Sequence, residues 1–189
     1  VSLAALFSQP PRRVLIACIG NIFLGDDGFG VEVAQRLLRR HYPPEVQVVD
    51  FGIRGLELAY TLLDDYDLLV LVDAVSRGGP PGTLYLIEPE LADIGPEQGA
   101  AVGRVALDAH SMDPVKVLAF ARALGARPIR TLLVGCEPAA LDEGAEMLPA
   151  GLSAPMQAAV EEAVHMIDRL VQEWFVPGTG AEPQHAEGL

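Results

Sequence analysis

Three short apolar runs, separated by stretches with helical spacing, dominate the first seventy or so residues and leave few folds open. The run 14–19 reads Val-Leu-Ile-Ala-Cys-Ile without a polar residue, as expected of a strand buried on both faces. Residues 46–49, apolar but for Gln47, and 68–72 are comparable runs, closed by Asp50 and Asp73. Between the first two, Val31, Val33, Ala34, Leu37 and Leu38 recur at helical spacing. The spacing predicts a helix over 31–40 that stops before Pro43-Pro44. Between the second and third, Gly52 and Gly55 mark a turn and 56–63 reads as a helix. This β-α-β-α-β order calls for a parallel sheet with right-handed crossovers.

The cluster Gly78-Gly79-Pro80-Pro81-Gly82 is a turn. It is too short to cross over a sheet, so the β-prone stretch 83–87 is expected to lie antiparallel at an edge. Residues 88–103 read as a loop with weak helical content. A helix is expected over 114–124 carrying Val115, Val117, Leu118 and Phe120 or Ala121, then a buried strand over 129–135 and a polar loop over 137–151. In the last helix, Met156, Val160, Val164, Ile167, Val171 and Trp174 form one stripe behind a Ser153 N-cap. The expected fold is a three-layer α/β sandwich. Its sheet is mostly parallel and twisted, with about five strands, one antiparallel edge strand and helices on both faces. A single domain over 12–176 is expected, after an N-terminal extension over 1–11 and before a Gly/Pro/Glu-rich tail over 177–189 expected to be disordered.

Charge narrows the function. The chain of 189 residues has 13 basic and 26 acidic side chains, a formal charge of −13. That balance argues against nucleic acid or an anionic membrane as partner, since both need cationic surface. No apolar run approaches the ~20 residues of a membrane span, and the apolar start 1–7 has no basic residues ahead of it. Cys18 and Cys136 each sit in or at the end of an apolar run. They read as buried reduced thiols, which suits a cytoplasmic protein.

The glycine-rich turn Gly20-Asn21-Ile22-Phe23-Leu24-Gly25-Asp26-Asp27-Gly28-Phe29-Gly30 joins the first strand to the first helix, where open α/β sheets bind ligands. Two readings of its acids stand side by side. They cap the helix, or one caps while the other faces a cleft. Asp73 closes a buried strand, either as a turn former or as an acid at the carboxyl edge. His110 lies in a short polar stretch before a helix. Alone it reads as structural. With Asp27 and Asp73 it would complete two carboxylates and an imidazole, an open shell for a divalent metal such as zinc or nickel. Glu137 also follows a strand and is expected to be a solvated loop residue rather than part of the cleft. There is no G-x-S-x-G elbow, no H-E-x-x-H, and neither a P-loop nor a dinucleotide fingerprint. Residue chemistry alone leaves open a zinc-dependent amide or ester hydrolase and a non-catalytic metal-binding chaperone.

Taken in order, these motifs resemble those of the nickel–iron hydrogenase maturation endopeptidases. The pieces are Gly20-Asn21 through Asp26-Asp27-Gly28-Phe29-Gly30, then Asp50-Phe51-Gly52-Ile53-Arg54-Gly55, Val72-Asp73-Ala74, His110, and Gly151-Leu152-Ser153. The resemblance implies an endopeptidase that removes the C-terminal extension of the hydrogenase large-subunit precursor after nickel has entered. It implies Asp27, Asp73 and His110 as nickel-contacting residues, with Asp26 able to share the role and Asp27 and Asp73 as candidate catalytic acids. Nickel would come with the substrate, with zinc or cadmium able to stand in for it in crystals. Gly52 and Gly55, by loop position, would shape the substrate channel. Many relatives carry Glu where this chain has Asp27, which would bring the metal closer to the backbone.

Overall fold

The computed structural model describes residues 12–89, 114–139 and 151–176. Its first strand, β1 (Val14–Ile19), has every side chain buried, because it is flanked on both sides and covered on both faces. The others are β2 (Val46–Gly52), β3 (Leu68–Ala74), β4 (Leu84–Ile87) and β5 (Arg130–Cys136), in the sheet order β2-β1-β3-β5-β4. β1 pairs in parallel with β2 and β3, and β3 with β5. β4 runs antiparallel to β5 at the edge, as expected of a strand entered through so tight a turn.

The helices are α1 (Phe29–Leu37), α2 (Gly55–Thr61), α3 (Pro114–Ala123) and α4 (Ala154–Phe175). Side chains alternate along a strand, and the two core clusters divide accordingly. Val14, Ile16 and Cys18, with Leu68, Val70 and Val72, pack against α1 and α4. Leu15, Ala17 and Ile19, with Leu69 and Leu71, pack against α2 and α3. These are the three layers expected. On α4, Met156, Val160, Val164, Ile167 and Val171 are buried, each contributing about 1.5–3 kcal/mol.

Several boundaries differ from expectation. α1 begins two residues early because a 3-10 turn at Gly25–Gly28 feeds straight into it. β2 continues past Asp50 to Gly52, and β3 continues through Asp73, so both acids lie inside strands. Val115 is exposed and Ser153 makes no capping bond. Both cysteines are free and buried. Burial, reinforced by the charge of Asp50, raises the Cys18 thiol. Burial first, then Asp26, Glu137 and Glu162, push Cys136 up to about 12, so neither thiol is poised to react. Among the described residues no helix is long and apolar enough to cross a membrane. The readings of 1–11, 90–113, 140–150 and 177–189 lie outside the described residues, His110 among them.

Candidate active site

The parallel strands end together at one edge of the sheet. From β1 the chain turns to α1 on one face and on to β2. From β3 it continues towards the opposite sheet edge, and the crossover into β5 carries α3 on the other face. The boundary between β1 and β3 is thus a topological switch point, where such sheets take ligands.

Two glycines set the geometry there. A Cβ on Gly30 would lie 2.0 Å from the Ile19 carbonyl oxygen and 2.5 Å from that of Val72. The first turn of α1 therefore rests on the backbone ends of β1 and β3, an approach open only to glycine. Gly20 has φ +149, and a Cβ there would meet the Asp27 carbonyl oxygen at 2.1 Å. With both contacts made, Asp27 sits close enough to Asp73 for its charge to be felt there.

Asp73 is 9% exposed, and its Oδ1 accepts a hydrogen bond from the Ala74 amide at 2.8 Å. Burial pushes its carboxyl up. The Ala74 bond opposes this, the negative charge of Asp27 reinforces it, and the result is about 7. Asp27 is half-buried and is raised as well, first by desolvation, against a bond to its Oδ2 from the Asn21 amide at 3.1 Å. Neither acid is in an ion pair among the described residues. The pair offers carboxylate oxygen to a cation. It also offers, in Asp73, a group that can take a proton and return it near neutral pH.

Asp26 has a different task. Its Oδ1 accepts from the Ser153 amide at 2.6 Å, and its Oδ2 accepts from the Ala139 amide at 2.8 Å and the Ser153 hydroxyl at 2.9 Å. This carboxylate ties the 3-10 turn to the exit of β5 and the entry of α4, and its oxygens are spent on that clasp. The expected helix caps are not made by either acid, since neither the 3-10 turn nor α1 has a side-chain cap.

Glu137 corrects another expectation. It is 5% exposed, not solvated. The Arg77 and Gly78 amides donate to it at 2.8 and 3.0 Å, and the Tyr85 hydroxyl at 2.8 Å. Burial raises its carboxyl, but these donors and the Gly79 amide outweigh that and hold it below its ordinary value. The signal available in the sequence was the turn cluster itself, whose free amides need an acceptor.

Gly52, with φ +53, lies against Gly20 and the Asp50 side chain, and Gly55 opens α2. Oδ1 of Asp50 is buried without a partner among the described residues. His41 and His165 are exposed. No three His, Cys, Asp or Glu side chains among the described residues are grouped to hold a metal.

The hydrogenase maturation protease model matches residues 31–170, most of the chain. The chain belongs to that family. It is 32% identical over 170 residues to the hydrogenase expression/formation protein HupD of Rhodobacter capsulatus, covering 89% of this chain and 76% of that protein. To HoxM of Cupriavidus necator it is 34% identical over 157 residues, covering 82% and 72%. Among solved structures, the E. coli hydrogenase maturating endopeptidase HybD superposes with a TM-score of 0.64 at 26% identity, covering 86% of this chain and 94% of that one. The hydrogenase 2 maturation peptidase of a Thaumarchaeota archaeon gives 0.58 at 31%, covering 85% and 98%. This maturation protease is accordingly a peptidase, and the acids at its β1–β3 boundary are its candidate active site.

Proposed function

We propose that this protease removes the C-terminal extension from the large-subunit precursor of a nickel–iron hydrogenase, and that it recognises the nickel the precursor already carries. The observation that supports this is the Asp27–Asp73 pair, two neighbouring carboxylates at the switch point, both raised and unpaired with any cation among the described residues. His110 is the third proposed nickel contact. A divalent cation favours the ionised form of both acids. Nickel is here part of the substrate, and thiolates of the precursor would supply the soft ligands that this oxygen and imidazole set lacks. Asp73, ionised in the complex, is the proposed proton acceptor for peptide hydrolysis, with Asp27 beside it.

The test is mass spectrometry of a large-subunit precursor, nickel-loaded or nickel-free, before and after incubation with the protease. Loss of the C-terminal segment from the loaded form alone is expected. Asp27→Ala, Asp73→Ala and His110→Ala should fold yet leave the precursor intact. Equal cleavage of loaded and nickel-free precursor removes the recognition role. Normal processing by any two of the variants removes the site assignment.

A further inference from the structure

Of the twelve large apolar side chains exposed among the described residues, five lie at the carboxyl edge: Ile22, Phe23 and Leu24 on the turn after β1, Ile53 on the turn after β2, and Leu56 at the start of α2. The turns are joined where the Gly20 amide donates to the Gly52 carbonyl at 3.1 Å. Phe23 is 82% exposed, yet it does not ride on a slack loop. Its amide donates to Asn21 Oδ1 at 3.0 Å, the Leu24 amide donates to the Asn21 carbonyl at 3.0 Å, and the Asn21 amide is held by Asp27. An Asx turn thus holds three apolar side chains outward. Apolar side chains exposed together rather than singly mark an interaction surface.

This surface continues into the site, since the Asp27 amide donates to the Leu24 carbonyl at 3.3 Å. A polypeptide engaged at Asp27 and Asp73 must pass next to it. At its margin Arg54 and Glu57 pair at 2.6 Å and offset each other, so the uncompensated charge next to it is that of the site acids. On a chain of formal charge −13, this patch selects for apolar rather than charged side chains.

We infer that Ile22, Phe23, Leu24, Ile53 and Leu56 form the docking surface for an apolar stretch of the precursor polypeptide next to the bond that is cut. The inference rests on the function proposed above and names the part of the substrate that this side of the site holds. Phe23 is the expected anchor, since a few aromatic side chains usually carry most of an interface.

The experiment compares wild type, Phe23→Ser, Leu56→Ser and Leu86→Ser on the nickel-loaded precursor. Leu86 is a comparably exposed leucine on β4, at the opposite edge of the sheet. Phe23→Ser and Leu56→Ser should each raise KM by about tenfold with kcat within about twofold, the mark of lost uniform binding. Leu86→Ser should match wild type. If wild type processes the precursor and the two patch variants keep its KM, the docking surface is refuted while the function stands. If wild type fails to process it, the function falls and the docking surface falls with it. Thermal melts and sedimentation run alongside. A melting temperature lowered by the patch variants would assign the patch to a segment of this chain. A wild-type dimer that they dissolve would assign it to a second copy, and either result overturns the inference.

Discussion

Asp73→Asn is expected to make the protease more stable and inactive at once. The Asp73 carboxyl stands at about 7 in the fold against an ordinary 3.8. Because the folded value lies above the unfolded one, the native state binds more protons between those two pH values. Stability therefore falls as pH rises from about 4 to about 7 and levels off above. At about 1.4 kcal/mol per unit, the group costs the fold about 4 kcal/mol at pH 8, where it is ionised, and roughly 1.5–2 kcal/mol at pH 5, where the fold keeps it protonated while the unfolded chain ionises it. Asparagine removes the charge and keeps an oxygen for the Ala74 amide. Guanidinium unfolding at the two pH values should show Asp73→Asn more stable at pH 8 by up to about 4 kcal/mol, a gain that shrinks by roughly 2–3 kcal/mol at pH 5. The melting temperature at pH 8 should rise on the order of 10 °C. Processing of nickel-loaded precursor should be lost. A variant no more stable than wild type at pH 8, or a difference equal at both pH values, refutes the reasoning.

Gly30→Ala should destabilise by about 3 kcal/mol or more in denaturant unfolding, since its methyl meets backbone oxygens of both β1 and β3. Asp26→Ala should cost roughly 3 kcal/mol by the same measurement, because the Ala139 and Ser153 donors lose a shared charged acceptor. Asp27→Asn should leave the fold intact and lose processing. Glu137 has a depressed carboxyl, so it stabilises the fold above the unfolded value and that support disappears as pH falls through the folded value. Glu137→Gln should lower the melting temperature at pH 7, with the gap to wild type closing below about pH 4.5. Affinity for nickel-loaded precursor, read by calorimetry, should weaken as pH drops below about 7, because Asp73 must shed its proton to meet a cation.

Where a segment's own composition decides its state, the sequence was readable. All six residues of β1 are apolar and buried, and its predicted and observed ends coincide. The antiparallel edge strand followed from the brevity of the turn before it. Asp73 could be placed at the carboxyl edge because five apolar residues precede it. Roles that depend on distant partners were hidden. Asp26 looks like a helix cap, but its partners lie 113 and 127 positions away. Glu137 looks solvated because the amides it serves belong to a turn about sixty residues earlier. The Gly151-Leu152-Ser153 motif held a clue that spacing could not decode, since Ser153 meets Asp26 instead of capping α4.

The division between the adjacent acids explains how a turn so rich in glycine can be firm enough for chemistry. Asp26 faces inward and locks three segments. The same turn carries Asp27 outward, beside an acid that the fold holds at a loss at neutral pH. A protein retains such a loss where the unpaired charge is used. A resident cation would cancel the strain permanently. A cation that arrives with the substrate, as proposed here, cancels it only in the complex, so relief of the Asp27–Asp73 repulsion adds to the binding of a loaded precursor and is absent for an empty one. Discrimination between the two then needs no moving part. It follows from two carboxylates kept close by Gly20 and Gly30 and left without a counter-charge among the described residues.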